Sequence, residues 1–432
     1  MHSVSFSKTG GPEVLEYKEL KLEDPKSGEV LIKHSAIGLN FIDTYHRSGL
    51  YPVPLPSGIG LEGAGIIEKV GPDVSNFKEG DKVAYAAAPL GSYSSHRIYP
   101  TKNLVKVPEG IDLNIVACLM TKGLTTFYLL HKTYEVKKGQ TILFHAAAGG
   151  VGQIFCQWAK SLGCKVIGTV GSDEKIELAK KYGCDEVINY SKVNFKDRVM
   201  EITNDEGLPV VYDGVGKVTL ENSLGCLKMR GMMVSFGNAS GKLDPVDVGK
   251  LIAPKGLYLT RPSIAHYTAT RKELDEASEK LFQMVKNGNV KERYWAAISL
   301  RNGFFDDVNM HQNVSEWMND VAPSVRIEIA SWLACFPDQR GVALDRLVED
   351  LGHSDWAVAL QACRAIELLG PKAKRVLEPM KRIYAKTRNE SGDNNFFIAF
   401  SSGAFLDKLG EKTVPWDFTP GAGSFMPPKK KK

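Results

Sequence analysis

Gln140-Thr141-Ile142-Leu143-Phe144-His145-Ala146-Ala147-Ala148-Gly149-Gly150-Val151-Gly152-Gln153 decides the fold of this chain. A short apolar run of strand character leads into a glycine turn and then into a helical pattern. That arrangement is a cradle for a dinucleotide. Gly149 and Gly150 let the backbone approach a pyrophosphate, Gly152 lets the helix pack close to the strand, and the helix start presents unpaired N–H groups to the anion, with Ala148 and Val151 in the same turn. The stricter G-x-G-x-x-G spacing is absent, and the same glycines also suit a merely tight connection.

A second helix-to-strand unit follows at the expected distance, with an apolar face over 154–162 and a short buried strand, Lys165-Val166-Ile167-Gly168-Thr169. In sites that prefer NAD, a carboxylate about 20 residues beyond the glycines accepts from the ribose 2′-hydroxyl. Here the strand runs instead into Thr169-Val170-Gly171-Ser172, which leaves room for a 2′-phosphate. Lys175 lies just beyond and Tyr190 closes the next strand, so a cation and a hydroxyl can both serve that phosphate. NADPH is the expected cofactor. The plainer alternative makes Lys175 a solvated helix residue and Asp173 the helix cap.

The 432 residues, 43% of them hydrophobic, suffice for several cores and suggest two to four domains. The seven cysteines, at 118, 156, 164, 184, 226, 335 and 363, form no C-x-x-C pair and read as buried thiols of a reducing compartment. The N-terminus opens directly in a strand, without a basic-then-apolar signal, and no apolar run reaches membrane-spanning length, so the cytoplasm is the expected location. Of the net charge of +5, four units come from the lysines at 429–432, which leaves no basic face that demands nucleic acid.

Several separated stretches carry a resemblance. They are Gly10-Gly11-Pro12-Glu13-Val14-Leu15, the stretch from Gly38-Leu39-Asn40-Phe41-Ile42-Asp43 through Tyr51, the glycine turn, Val210-Val211-Tyr212-Asp213-Gly214-Val215-Gly216, Val234-Ser235-Phe236-Gly237-Asn238 and Thr260-Arg261-Pro262-Ser263. In order and spacing they resemble the zinc-free quinone oxidoreductases of the medium-chain dehydrogenase/reductase superfamily, the zeta-crystallin group. The resemblance implies an α/β fold: a GroES-like, β-rich catalytic domain over 1–122, a Rossmann domain with a doubly wound parallel sheet over 123–263, and a return to the catalytic domain over 264–290 that is cut short. Zinc-containing members hold their metal with a Cys where this chain has Asn40 and a His where it has Leu61. An amide and an alkyl group are not ligands for zinc, and no cluster of four cysteines supplies a structural site, so no metal is expected. His145 and His46 read as packed or solvated histidines.

Without a metal, the chemistry the resemblance implies is direct hydride transfer from the nicotinamide C4 to a quinone or enone, the protein positioning two rings and excluding water. Asn40 and Tyr45 then line the nicotinamide side, with Tyr51 and Asp43 nearby; Tyr45 can stack, hydrogen bond or donate the closing proton, and the plainer alternative makes both tyrosines cleft-filling aromatics. Cofactor contacts carried over by motif fall on Phe41, Ile42, Thr125, the turn 148–152, Gly171, Lys175, Tyr190, Gly216, Phe236, Gly237, Asn238 and Ser263. The resemblance also implies a homodimer joined through the sheet edge at Gly256-Leu257-Tyr258-Leu259-Thr260.

Beyond residue 290 the texture changes. A pattern recurs at intervals in the thirties, beginning at Arg293, Val325, Trp356 and Asn395, with Pro323 and Gly370-Pro371 where helices should break. Stacked helix pairs of HEAT-like type are expected over 291–412, offering a surface for a protein partner, followed by an irregular Pro/Gly/Lys tail over 413–432. Two functions compete: a working reductase with a helical appendage, or a fusion whose catalytic half is impaired and which serves as a nucleotide-binding or protein-interaction scaffold.

Overall fold

The structure, a computed structural model, describes residues 1–287, 318, 323–389, 393–411 and 413. The chain forms two compact units, Met1–Ser299 and Leu300–Lys432. The first expected repeat, at 293, the boundary at 290 and nearly all of the tail lie outside the described residues.

In the first unit, strands β9 (Thr141–Phe144), β10 (Lys165–Val170), β11 (Glu186–Asn189), β12 (Leu208–Asp213), β13 (Leu227–Ser235) and β14 (Tyr258–Thr260) build one sheet in the order β11-β10-β9-β12-β13-β14. Every pairing in it is parallel. The central strands are continuous apolar runs: Ile142, Leu143 and Phe144 of β9 and Val210, Val211 and Tyr212 of β12 are all buried, as strands covered by helices on both faces must be. Helices α3 (Gly150–Ser161), α4 (Glu174–Lys181), α5 (Phe195–Ile202) and α6 (Leu220–Gly225) make the crossovers. The sheet order reverses between β9 and β12, so a crevice opens beyond their carboxyl ends, where doubly wound sheets bind ligands.

The remaining strands precede this sheet. β1 (His2–Phe6), β2 (Glu16–Glu19) and β4 (Ser57–Gly58) form a small antiparallel sheet. β3 (Glu29–Gly38), β5 (Glu62–Val70), β6 (Lys82–Ala86), β7 (His96–Pro100) and β8 (Val105–Lys106) form a five-stranded antiparallel one in the order β7-β3-β5-β6-β8. Buried positions alternate along β7, where Arg97 and Tyr99 point inward. Helix α1 (Phe41–Ser48) follows β3 directly, and Asn40 and Asp43 close its start as a capping box.

Helix α2 (Leu113–Tyr128) runs through the position, 122/123, where the sequence reading divides the two modules, and it packs on β3, β5 and β6 as well as on α3. With the wider turn that continues it, Leu113–Thr133 forms one helical run of 21 residues that is apolar enough to cross a membrane, contrary to the expectation that no run would be. The sequence hides it because Asn114, Thr121, Lys122, Thr125 and Thr126 interrupt the apolar pattern. The run's most apolar window is 78% buried in the unit, as in a core helix. Helix α7 (Ile264–Tyr267) follows β14, and α8 (Arg271–Lys286), opened by a Thr270/Glu273 capping box, packs against α2.

The second unit is helical. Three of the four recurring segments fall on helices, within Pro323–Leu333, Trp356–Leu369 and Asp393–Lys408; the other α-helices among the described residues are Arg340–Leu351 and Leu377–Asn389. Pro323 opens a helix, and Gly370, at φ +53°, ends one ahead of Pro371. Ile327, Leu344, Leu347, Ile366, Met380 and Phe405 form its core. Arg326 grips the buried Asp350 through Nε (2.9 and 3.1 Å) and Nη2 (2.5 Å).

Candidate functional site

The site begins at the exit of β9. Ala146, at φ +56°, turns the chain, Gly149 N–H donates to Ala146 O (2.8 Å), and α3 starts at Gly150. A Cβ on Gly152 would lie 2.5 Å from the carbonyl oxygens of both Ala146 and Ala147. Backbone crowds that glycine, as close helix–strand packing requires. Gln153 Nε2 ties the turn down through Ala148 O (2.9 Å), while its buried Oε1 has no partner. Ala148 and Val151 are half-buried beside it. His145 is packed, not ligating: Nδ1 bonds Thr169 Oγ1 (2.8 Å) and Nε2 bonds Ser223 Oγ (2.9 Å). Ser223 and Thr219 donate to the buried Asp213, whose other oxygen takes the N–H groups of Val215 and Gly216 (2.8 and 2.9 Å). Burial lowers the His145 pKa, against the pull of Asp213. This network fixes the ends of β9, β10 and β12 around the crevice.

On the far side of the crevice, Gly216 is left-handed at φ +95°, and a Cβ on Gly237 would meet Gly214 O at 2.3 Å, so the loops after β12 and β13 touch through glycine. The Phe236 ring lies against Gly214. Here the two modules meet. Asn238 N–H donates to Tyr45 Oη (3.2 Å), Asn238 Nδ2 to Tyr51 Oη (3.3 Å), and Arg261 Nη2 to Tyr51 Oη (3.0 Å). The Tyr45 and Tyr51 rings are 5.1 Å apart, and the exposed Phe41 meets Tyr45 edge-on. Burial raises the Tyr45 pKa. The buried Oδ1 of Asn238 has no partner.

Beneath α1 lies a buried ion pair. Glu62, fully buried, accepts from Asn40 Nδ2 (2.5 Å), Thr121 N (2.9 Å) and Lys122 Nζ (3.4 Å), and Lys122 also donates to Cys118 O (3.0 Å). Asp43 accepts from Asn40 N and Tyr93 Oη, both at 2.9 Å, while its Oδ1 is unpartnered; burial pushes its pKa up to about 6. Among the described residues no three His, Cys, Asp or Glu cluster as metal ligands.

The structure therefore brings Asn40, Asp43, Tyr45 and Tyr51 together, with Asn238 beside the two tyrosines. Thr125 is buried one turn along α2 from Thr121, to whose carbonyl it donates (2.7 Å). Ile42 is half-buried on α1, and Ser263 is exposed at the start of α7. Gly171 lies under the Tyr190 hydroxyl at the ends of β10 and β11. No hydrogen bond joins Lys175, exposed in the first turn of α4, to Tyr190 among the described residues. Asp173 does not cap α4 through its side chain, because its carboxylate is held by Asn189 Nδ2 (2.7 Å) and Lys192. Sequence reasoning left Arg261, Glu62, Lys122 and Tyr93 without roles. Arg261 stood inside a quoted motif, and Glu62 beside the position compared with a zinc ligand.

Residues 26–109 match the alcohol dehydrogenase GroES-like domain family and residues 150–283 the zinc-binding dehydrogenase family. A quinone oxidoreductase of Pseudomonas aeruginosa is 52% identical over 289 residues, which cover 67% of this chain and 89% of that protein. The chain belongs to the quinone oxidoreductase family of the medium-chain dehydrogenase/reductase superfamily. A quinone oxidoreductase of Escherichia coli, solved in complex with NADPH, superposes with a TM-score of 0.66 at 47% identity, covering 72% of this chain and 92% of that one. A second kind of relative, a 2-haloacrylate reductase from a Burkholderia species, is 48% identical over 65% of this chain and 86% of its own length. The sequence relatives thus account for about two thirds of this chain.

Proposed function

We propose that this quinone oxidoreductase family member is an NADPH-dependent reductase of quinones and enones, working by metal-free hydride transfer. One observation carries the reading: the parallel sheet that bears the glycine turn at its switch point also holds two phenols of the other module, through Asn238 and Arg261. The residues fit the cofactor. The packed turn at Gly152 leaves the start of α3 for a pyrophosphate, and the unpartnered Asn238 Oδ1 suits a donor such as a nicotinamide carboxamide. Gly171, Lys175 and Tyr190 would serve the 2′-phosphate. The bound cofactor would supply a hydride, and the acceptor must already be electrophilic, as quinones and conjugated alkenes are. Asn40 Nδ2 is committed to Glu62, an amide and a carboxylate already paired with Lys122 in place of a metal site. Support for both acceptor types comes from the relatives, one named for quinones and one for a haloacrylate.

We infer that the helical unit is a stack of helix pairs that recruits a protein partner, and that β14, which hydrogen-bonds to β13 on one side and leaves Tyr258 and Leu259 exposed, pairs with a second copy. The direct test of the reductase reading is NADPH oxidation by the full chain with a simple quinone and with cyclohexenone, beside NADH and a Gly150→Asp control, before and after dialysis against a chelator. NADPH-selective, chelator-insensitive turnover that the substitution abolishes is expected. A folded protein that binds NADPH but reduces neither acceptor would overturn the reading in favour of a scaffold.

A further inference from the structure

Tyr51 Oη accepts two hydrogen bonds, from Arg261 Nη2 (3.0 Å) and Asn238 Nδ2 (3.3 Å). A phenol oxygen has two lone pairs and one hydrogen, so the Tyr51 hydrogen must point away from both donors. Tyr45 Oη accepts from Asn238 N (3.2 Å), and among the described residues neither phenol donates a hydrogen bond. Two phenols converge on one asparagine with their own hydrogens uncommitted. Arg261 is itself held: its Nη1 donates to Ser235 Oγ (2.8 Å), Ser235 O (3.2 Å) and Gly237 O (2.8 Å) at the exit of β13, so the fixed geometry of the guanidinium aims Nη2 at Tyr51. No other side chain links the end of the parallel sheet to Tyr51 through an ionic donor among the described residues.

We propose that Arg261 is a positioning residue that turns Tyr51, with Tyr45, into a two-phenol donor site for the carbonyl oxygen of the acceptor, an inference that rests on the reductase reading above. In the step it serves, hydride adds to the β-carbon of a conjugated ketone and forms a C–H bond. The alkene pair shifts toward the carbonyl, whose oxygen becomes an enolate oxyanion, and NADPH is oxidised to NADP⁺. A proton from solvent then completes the saturated ketone. With a quinone the same two electrons end on the oxygen of a hydroquinone monoanion, which takes up a proton. Charge develops on an oxygen in both cases, and two preoriented O–H donors stabilise it without reorganising. The favoured substrates are therefore acceptors whose reduced form carries an oxyanion.

The test is a cycle of Arg261→Ala, Tyr51→Phe and the double variant in the full chain, assayed with cyclohexenone. Each single substitution should lower kcat about tenfold with NADPH affinity unchanged, and the double should be no worse than the poorer single, because both remove one interaction. Arg261→Lys, which keeps a cationic donor, should recover part of kcat, and millimolar guanidinium should rescue Arg261→Ala saturably. Multiplying losses in the double, or a loss confined to NADPH affinity, overturns the proposal. A second readout needs no turnover: in ¹³C-tyrosine-labelled protein, the Cζ resonance absent from Tyr51→Phe should move in Arg261→Ala. An unmoved resonance overturns the Arg261–Tyr51 link, whereas a moved resonance in a chain that reduces nothing supports the link and counts against the reductase reading alone.

Discussion

Gly152 shows how little room single positions leave. Its missing side chain would strike two backbone carbonyls that cannot move without pulling α3 off β9, so Gly152→Ala should cost about 1–3 kcal/mol in urea denaturation and weaken NADPH binding in fluorescence titration. Lys175 tests cofactor choice. Lys175→Glu should weaken NADPH about tenfold or more and leave NADH nearly unchanged, since only the former carries the 2′-phosphate; equal losses would remove Lys175 from that role. Asp43 gives a pH signature. Its folded pKa, about 6, stands above its ordinary 3.8, so the native state holds the extra proton between those values. The stability this contributes is complete below about pH 4 and is lost as pH rises through 6. Relative to the natural chain, Asp43→Asn should gain roughly 2–3 kcal/mol between pH 4 and pH 7, measured by denaturation at each pH.

At the scale of elements, the pairing of β5 with α2 brings Glu62 and Lys122 together out of water. A buried pair need not stabilise more than apolar residues would, but losing one partner strands the other charge. Lys122→Met alone should destabilise by about 3–5 kcal/mol, and adding Glu62→Leu should recover part of that loss; chemical denaturation of the three variants decides it. The elements also show where sequence reading worked. Ile142–Phe144 announces itself as a buried strand, and the structure makes it central, because burial on both faces demands apolar residues throughout. Helix α2 escaped that reading as one long helix, because Thr121 and Lys122, which meet Glu62, and Thr125, which bonds the helix backbone, interrupt its apolar pattern.

At the scale of the whole molecule, two compact units share one chain, and the cofactor chemistry belongs to the first. Scanning calorimetry of the full chain should show two transitions, and NADPH at 100 times its Kd should stabilise only the unit Met1–Ser299, by about 2.7 kcal/mol. A uniform shift of both transitions would mean that the units unfold as one. The helical unit carries its own buried core and its own buried Arg326–Asp350 pair, as an autonomous unit requires.

By itself the sequence determined the parallel sheet and its glycine turn, because backbone clearance and two-sided burial leave residue-level marks, whereas Asn40, Tyr45, Tyr51 and Asn238 became candidates only through the family resemblance. It also marked the helix breaks at Pro323 and Gly370. Only the tertiary structure decided that Asn40 turns its amide to Glu62, that Lys122 answers that carboxylate 60 residues away, and that Arg261 reaches Tyr51 across 210 positions of chain. Those contacts are set by how modules pack, and a lysine or arginine carries no mark in sequence of which distant group its long side chain will meet.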